Sequence, residues 1–187
     1  MLLKKLATLD VNMICPLHGP ILKEDLGYYI GKYDTWSKYE AEDDGVFIAY
    51  SSVYGNTKEA VEELVKLLEE KGAKKVAVAD LARDDLAEAI EDAFRYDKVV
   101  LASITYNGTA FLDMENFLRQ LAGKNYQNKK VGFIENGTWA PMAAKAMKDI
   151  VSTMKNITMC ENIVSIKSRL NDVSRVSLDA LATEILN

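Results

Sequence analysis

From Asp43 onward, short apolar runs alternate with amphipathic helical patterns, and this alternation constrains the fold more than any other feature of the chain. The runs are apolar almost throughout, as expected of parallel strands covered by helices on both faces. The predicted strands are Val46–Ser51, Lys75–Ala79, Lys98–Ile104, Lys130–Glu135 and Ile157–Ile166. Strands that alternate with helices in this way predict an α/β fold, a doubly wound, five-stranded parallel sheet with helices on both faces.

Side-chain spacing and end signals predict the helices between these strands. Gly72 stands where the first helix should end, because glycine favours the left-handed cap that closes many helices. Asp85-x-x-Glu88 is typical of a capping box at the start of the second helix. Pro141 fits the first turn of the fourth, where its missing N–H is tolerated. The predicted inward faces comprise Ala60, Val61, Leu64, Val65 and Leu68; Leu86, Ala89, Ile90 and Ala93; Met114, Phe117, Leu118 and Leu121; and Leu178, Leu181 and Ile185.

The segment Asp43-Asp44-Gly45 separates this region from an unlike one. Before it, the sequence predicts a short helix, a strand-like stretch at Val11–Cys15 and a helix around Asp25–Tyr39. No surplus of apolar residues remains there for a second core. We therefore expect residues 1–42 to be an appendage to a domain that spans residues 43–187.

Charge and cysteine content disfavour several classes of function. The chain carries 23 Lys plus Arg against 28 Asp plus Glu, a formal net charge of −5, without a dense basic run. Nucleic acid is therefore not an expected partner. No apolar run approaches the roughly 20 residues that a membrane-spanning helix needs, so no membrane association is expected. Cys15 and Cys160 lack the spacing of a zinc site or a disulfide framework, which favours a cytoplasmic location.

The segment between the first strand and the first helix predicts a phosphate-binding loop. Asn56 as an N-cap, with Glu59 three residues later, indicates a tight turn into a helix N-terminus, where free N–H groups bind anions. No Lys or Arg lies between Ser51 and Thr57, which distinguishes the loop from a P-loop. The missing G-x-G-x-x-G pattern also disfavours a dinucleotide fold. The candidate binding residues are Ser52, Val53, Tyr54, Gly55, Asn56 and Thr57.

Two further loops at strand ends each carry a large aromatic ring beside a glycine. A flat tricyclic ring needs aromatic faces to stack on and backbone groups that face its polar edge. Tyr106 and Trp139 suit the first task, and the turns at Gly108 and Gly137 suit the second. All three loops follow strands, at the edge where doubly wound sheets bind ligands. The candidate residues are Thr105, Tyr106, Asn107 and Gly108 in the second loop, and Asn136, Gly137, Thr138 and Trp139 in the third.

These segments resemble those of a known family. Ser52-Val-Tyr-Gly-Asn-Thr57 resembles the phosphate loop of flavodoxins, and Thr105-Tyr-Asn-Gly108 resembles their second FMN loop. Over essentially its whole length, the chain resembles the C-terminal part of flavodiiron proteins, the A-type flavoproteins that reduce dioxygen or nitric oxide. Residues 14–20, Ile-Cys-Pro-Leu-His-Gly-Pro, resemble the end of that family's metallo-β-lactamase-like domain. Tyr33-Asp-Thr-Trp36 resembles the link between its two domains.

The resemblance implies a flavodoxin-like sheet of order 2-1-3-4-5 and one FMN held by the three loops. It implies an electron-transfer domain that receives electrons from a rubredoxin or a flavin reductase and passes them to a diiron domain. Residues 1–42 would then be a remnant of the metallo-β-lactamase-like domain with its linker, and residues 43–187 the FMN-binding domain. The resemblance is compatible with a monomer or a homodimer.

The same resemblance assigns no metal site and no catalytic residue to this chain. His18 is the only histidine, and it stands where the family has a diiron ligand. The other histidine and carboxylate ligands of the family, including its H-x-E-x-D-type motif, are missing from the sequence. One imidazole cannot hold two irons, so His18 is expected to be an orphaned ligand.

Glu135 departs from the family, which usually has small residues around the Gly-Trp of the third loop. A carboxylate near a flavin would disfavour the anionic reduced form and lower the potential of its formation. Our hypothesis is that Glu135 has this effect on the bound flavin.

Two other functions remain open on the sequence alone. The first is a self-sufficient flavodoxin-like NAD(P)H:quinone reductase, which would share the fold and the FMN and would bleach rapidly with NADPH. The second is a receiver-like interaction domain without a cofactor. Receivers need acidic residues after the first strand, where this chain has Ser51 and Ser52, so the second function is disfavoured.

Overall fold

The computed structural model describes residues 2–6 and 8–187, and the chain forms two compact units. The first ends at Glu42 and the second is Asp43–Asn187. Met1 and Ala7, which belong to the predicted appendage, lie outside the described residues.

The described residues of the first unit contain two helices, α1 at Leu2–Leu6 and α2 at Leu26–Ser37. The strand predicted at Val11–Cys15 is wrong: within the described residues, only Ile14 pairs there, in an isolated antiparallel bridge with Leu22. A single bridge cannot form a strand, because no further backbone groups pair on either side of it. Beyond α2, the Glu42 carboxylate accepts hydrogen bonds from Lys32 Nζ at 2.5 Å and Trp36 Nε1 at 2.7 Å.

The second unit is built on one sheet, and the predicted fold is confirmed. The strands are β1 Val46–Ser51, β2 Val76–Asp80, β3 Lys98–Tyr106, β4 Thr109–Ala110, β5 Gln127–Asn136 and β6 Lys155–Ile166. The five long strands are parallel in the order β2-β1-β3-β5-β6, which is the predicted 2-1-3-4-5 order when the short β4 is left out of the numbering. β4 was not predicted, and it pairs antiparallel with the end of β3.

Helices cover both faces of this sheet. They are α3 Asn56–Glu70, α4 Leu86–Arg95, α5 Leu112–Gly123, α6 Ala143–Val151 and α7 Asp172–Leu186. Each of them follows a strand, so all five helix N-termini lie at the carboxyl edge of the sheet. Within the part of the chain that the structure describes, no helix has both the length and the apolarity to cross a membrane.

The two faces of the sheet bury separate apolar cores. Phe47, Phe117 and Phe133 are fully buried on the face that packs against α4, α5 and α6. Ile48, Leu64 and Leu181 are fully buried on the face that packs against α3 and α7. The predicted inward faces therefore point into these cores, although Val65, Leu86 and Ile90 are only partly buried at their margins.

The edge strand β6 contains a bulge that α7 holds in place. Between the pairs Val131–Met159 and Phe133–Ile163, β5 advances by two residues and β6 by four. The carboxylate of Glu184 on α7 accepts hydrogen bonds from the backbone N–H groups of Glu161 at 2.7 Å and Asn162 at 3.0 Å. It also accepts one from Asn162 Nδ2 at 2.6 Å. These bonds satisfy amides that the irregular register leaves without a partner in the sheet.

A buried lysine closes the opposite, amino edge of the sheet. Lys129 is 3% exposed, and its Nζ donates to the carbonyl oxygens of Phe94 at 2.9 Å and Tyr96 at 2.7 Å. The carbonyl between them, that of Arg95, accepts from the backbone N–H of Asp43 at 3.2 Å. The C-terminus of α4 is thus tied to β5 and to the start of the second unit.

Candidate functional site

A cleft of about 180 Å³ opens at the carboxyl edge of the sheet, where the three predicted loops meet. Its lining residues are Ser52, Tyr54, Asn56, Thr57, Ile104, Thr105, Asn136, Gly137, Thr138 and Ser168. The structure therefore brings eight of the predicted site residues together around one cleft. The predicted residues that do not line it are Val53, Gly55, Tyr106, Asn107, Gly108 and Trp139.

The first loop presents the N-terminus of α3 to the cleft. The N-cap is Gly55, with φ 88°, and α3 begins at Asn56. The predicted Asn56 N-cap is therefore wrong, because Gly55 takes the left-handed conformation that glycine adopts without a steric penalty and so starts the helix one residue earlier. Ser52 Oγ accepts a hydrogen bond from Lys58 N at 3.3 Å. No acceptor among the described residues is bonded to the backbone N–H groups of Asn56 and Thr57.

Two neighbouring helices are capped by their own N-cap side chains. Asp85 is the N-cap of α4, and its Oδ1 accepts from Ala87 N at 2.6 Å. The predicted capping box is wrong, because within the described residues Glu88 makes no return bond to Asp85 N. Asn171 and Ser174 form a reciprocal capping box at the start of α7. The first-turn amides of both helices are thus partly satisfied within the protein.

The N-terminus of α6 is capped by side chains from two strands. Thr105 Oγ1, at the end of β3, accepts from Met142 N at 2.9 Å and Ala143 N at 3.2 Å. Glu135 Oε2, on β5, accepts from Ala144 N at 2.9 Å. α5 has no capping side chain at Phe111, but its first turn contains the acidic residues Asp113 and Glu115.

The carboxylate of Glu135 is used by this cap. The residue is 8% exposed, and its second oxygen, Oε1, accepts from the Ser165 hydroxyl at 2.6 Å. Both carboxylate oxygens are therefore hydrogen-bonded inside the protein, and Glu135 does not line the cleft.

The second loop is a two-residue hairpin between β3 and β4. Asn107 and Gly108 have φ values of 51° and 77°, the positive values that such tight turns require. The ring of Tyr106 packs edge-on against Phe111 with centroids 5.6 Å apart, and 44% of Tyr106 is exposed. The hairpin therefore fixes an aromatic ring beside the cleft while leaving much of its surface in solvent.

The third loop passes close to the second. A Cβ at Gly137 would lie 3.0 Å from Thr105 Oγ1 and 3.2 Å from Pro141 Cα, so glycine allows this approach. Beyond it, Trp139 is 96% exposed, and Tyr54 on the first loop is 90% exposed. Three large aromatic side chains, Tyr54, Tyr106 and Trp139, are thus available on the three loops.

A fourth loop, not predicted from the sequence, completes the cleft. Ser168 follows the end of β6, and Asn136 binds its backbone twice: Nδ2 donates to Ser168 O and Oδ1 accepts from Ser168 N, both at 3.0 Å. Asn136 Nδ2 also lies 3.5 Å from Thr57 Oγ1. Ser168 follows the fifth predicted strand, so the rule that strand ends form such sites could have identified it. Ile104, the second lining residue that was missed, is the last residue of the predicted third strand.

The charged groups near the cleft lie outside its lining. No Lys or Arg is among the lining residues. At the end of β2, the Asp80 carboxylate accepts from Arg83 Nη1 at 2.8 Å and Ala82 N at 3.2 Å. Burial, together with the charge of Asp80, raises the pKa of Tyr50 to about 12. In the described part of the chain, no group of three or more His, Cys, Asp or Glu residues could hold a metal ion.

Comparisons with known proteins agree with the fold of the chain. Residues 47–165 match the family described as flavodoxin domain. Over 132 residues the chain is 25% identical to the anaerobic nitric oxide reductase flavorubredoxin of Aeromonas hydrophila, covering 70% of this chain and 26% of that protein.

Solved structures share the fold of the whole chain. The rubredoxin oxygen:oxidoreductase of Desulfovibrio gigas superposes with a TM-score of 0.89 at 20% identity, covering 99% of this chain and 46% of that one. A flavo-diiron protein variant from Thermotoga maritima superposes with a TM-score of 0.81 at 22% identity, covering 98% and 45%. The predicted resemblance to flavodiiron proteins is confirmed, and the chain spans less than half the length of these proteins.

Proposed function

This chain belongs to the flavodoxin-domain family, and from that premise we propose that it is an electron-transfer module holding one FMN at the carboxyl-edge cleft. FMN is the cofactor that this family implies. When bound, FMN supplies the redox chemistry, whereas the protein supplies binding, orientation and the surrounding electrostatics.

The observation that carries this proposal is the N-terminus of α3. Side chains cap α4, α6 and α7, and acidic residues occupy the first turn of α5. Only α3, among the described helices that begin at this edge, has no side-chain acceptor on its first two amides and no acidic residue at those two positions. Ser52 Oγ accepts from the third amide, Lys58 N, and the first acidic residue, Glu59, is the fourth residue of the helix. Free amides and the positive end of the helix dipole attract a phosphate, so this terminus suits the anionic end of FMN.

The residues around the cleft suit the rest of the cofactor. A volume of about 180 Å³ is smaller than most ligand pockets, which leaves the flavin ring outside, among the exposed aromatic side chains. We assign the phosphate to the first loop, stacking to Tyr106 and Trp139, and backbone contacts to the turns at Gly108 and Gly137. The full set of proposed binding residues is Ser52, Val53, Tyr54, Gly55, Asn56, Thr57, Thr105, Tyr106, Asn107, Gly108, Asn136, Gly137, Thr138 and Trp139.

The direction of electron flow is part of the same proposal. Electrons arrive from a rubredoxin or a flavin reductase and pass to a diiron domain, because relatives are named as a flavorubredoxin and a rubredoxin oxygen:oxidoreductase. Residues 1–42 are then the end of the metallo-β-lactamase-like domain with its linker, which the superposition over 99% of the chain supports. The two free cysteines support a reducing, cytoplasmic setting.

The first test is the visible absorption spectrum after incubation with excess FMN and removal of unbound flavin. We expect a flavin spectrum close to one FMN per chain. Because Ser52 lines the cleft and Asn56 begins α3, the Ser52→Ala and Asn56→Ala variants should each weaken FMN binding about three- to tenfold. Ser152→Ala is a matched control, because its hydroxyl bonds Asp149 O at the far end of α6.

Two outcomes would contradict the proposal. A folded chain that retains no flavin would show that the free amides of α3 do not bind the phosphate of FMN. The receiver-like interaction domain would then be favoured. Rapid bleaching of bound flavin by NADPH, without a protein donor, would favour the NAD(P)H:quinone reductase instead.

A further inference from the structure

The segment Lys167–Arg169, here called the basic turn, reverses the chain beside the cleft. Arg169 N donates to Lys167 O at 3.2 Å, and Ser168 between them has φ 76°. Serine rarely adopts this left-handed conformation, and a non-glycine residue held there indicates a surrounding structure that imposes it. Such strain is concentrated at ligand-binding sites.

Asn136 is the residue that imposes the conformation. Its side-chain amide accepts from the N–H of Ser168 and donates to the C=O of Ser168. A residue on a neighbouring β-strand would form the same pair of hydrogen bonds. Asn136 is 6% exposed and also reaches toward Thr57 in the first turn of α3. The basic turn is therefore held against the same helix N-terminus to which we assign the phosphate.

The basic turn also has the charge that the first loop lacks. Lys167 and Arg169 are exposed, and neither makes an ion pair among the described residues. Consecutive Cα atoms are about 3.8 Å apart, so both side chains start within one residue of the lining residue Ser168. The Ser168 hydroxyl has no hydrogen-bond partner within the described structure.

We propose that the basic turn is a fourth phosphate-binding segment, in which Lys167 and Arg169 attract the phosphate dianion and Asn136 positions the turn. This inference rests on the proposed function. The two positive charges of the basic turn make the site selective for phosphorylated flavin over riboflavin. They add to the attraction of the phosphate by the free amides of α3. Asn136 is then a positioning residue, since its own amide is occupied by Ser168.

Fluorescence-quenching titrations of the whole chain with FMN and with riboflavin test this inference. The Lys167→Gln/Arg169→Gln double variant should bind FMN about tenfold more weakly and riboflavin unchanged, because only FMN carries the dianion. Added salt should weaken FMN binding by the parent more than by this variant. Lys124→Gln/Lys155→Gln removes the same charge at the opposite edge of the sheet and should leave both affinities unchanged.

Asn136→Ala gives a second, independent readout. Loss of the two bonds to Ser168 should lower the FMN affinity and the salt dependence together, because the basic turn is released. Equal FMN affinities in the parent and the Lys167→Gln/Arg169→Gln variant would overturn this inference and leave the proposed function intact. An equal loss of FMN and riboflavin affinity would also overturn it, since it would indicate a structural effect. A parent chain that binds neither flavin would instead overturn the proposed function.

Discussion

Glu135 lies beside the cleft, yet its carboxylate is engaged by the fold. The sequence led to the hypothesis that this charge lowers the reduction potential of the flavin. In the structure, one oxygen accepts from Ala144 N and the other from the Ser165 hydroxyl. Hydrogen bonds of this kind disperse the charge toward the α6 terminus, so we expect Glu135 to contribute more to stability than to potential.

Substitutions at Glu135 separate these two roles. Glu135→Ala leaves the buried Ala144 N–H without an acceptor and should lower the free energy of unfolding by about 2 kcal/mol. Glu135→Gln keeps an acceptor for that N–H and should cost less than half as much. Urea unfolding measures both, and redox titration of the FMN-loaded chain measures the potential. If Glu135→Gln raised the flavin potential without changing stability, the original hypothesis would be correct.

Single residues of the site were only partly predictable. The hydroxyl and amide side chains of the first loop were identified because they follow a buried strand. The sequence did not identify Gly55, rather than Asn56, as the N-cap of α3, because this one-residue difference depends on a backbone angle that the sequence pattern does not specify. Ser168 could have been identified from its place after the fifth predicted strand, but its bonds to Asn136, 32 residues earlier in the chain, could not.

Among the elements, β6 depends on a contact from outside the sheet. Burial alone would raise the pKa of Glu184, but the N–H groups of Asn162 and Glu161 and the side chain of Asn162 lower it overall. A carboxyl with a lowered pKa stabilises the fold above its unfolded-state pKa, and this contribution is lost as the pH falls through the folded-state pKa. The bulge should therefore weaken in acid.

The Glu184→Ala variant tests the dependence of the bulge on α7. It leaves two backbone N–H groups without their acceptor and should lower the free energy of unfolding at pH 7 by about 1–3 kcal/mol. The amides of Glu161 and Asn162 should exchange with solvent faster in the variant, as hydrogen exchange would show. Glu69→Ala, an exposed residue of α3, is the control. Unchanged exchange at residues 161 and 162 would mean that the sheet alone holds the bulge.

Elements with a continuous apolar pattern were predicted well, and those fixed by one pairing were not. The five long strands were recognised from their apolar runs, with ends that differ from the structure by up to three residues. The two-residue β4 has no pattern of its own, and only the Asn107-Gly108 turn signals the hairpin. The stretch Val11–Cys15 has strand-like composition, but it lacks neighbouring strands with which to pair.

On the scale of the whole molecule, Lys129 makes the stability of the second unit depend on pH. Burial lowers the pKa of Lys129 to about 8, from its ordinary value of 10.5, although the charge of Asp97 partly opposes this shift. Between these two values the unfolded chain binds more protons than the folded chain, so the free energy of unfolding rises with pH. Burial raises the pKa of Cys160 to about 11 and of Tyr50 to about 12, so these groups lower the free energy of unfolding as the pH rises above their ordinary pKa values of 9.0 and 10.0.

Urea unfolding at pH 7.5 and pH 9 measures the contribution of Lys129. The free energy of unfolding of the parent should rise by about 1 kcal/mol between these two pH values, since one pKa unit corresponds to about 1.4 kcal/mol. Lys129→Met removes the titrating group and should abolish the gain, although it leaves two carbonyls without a donor and lowers stability overall. A gain of equal size in the variant would mean that another group is responsible.

The α/β architecture, the strand order and the place of the cleft were predictable because they follow from the apolar pattern and from general rules of winding. The side chains that cap α6 were not predictable, because Thr105 and Glu135 are 37 and 9 residues away in sequence from the amides that they bind.

The two amides without an acceptor at the start of α3 link the stability of the protein to its cofactor. A hydrogen bond typically contributes about 1 kcal/mol, and within the described residues Asn56 N and Thr57 N have no acceptor at the terminus to which we assign the phosphate. A ligand bound there completes the helix end and stabilises the folded state in proportion to the logarithm of its concentration. The abundance of the protein in a cell would then follow the flavin supply, because chains made when FMN is scarce unfold and are degraded more readily.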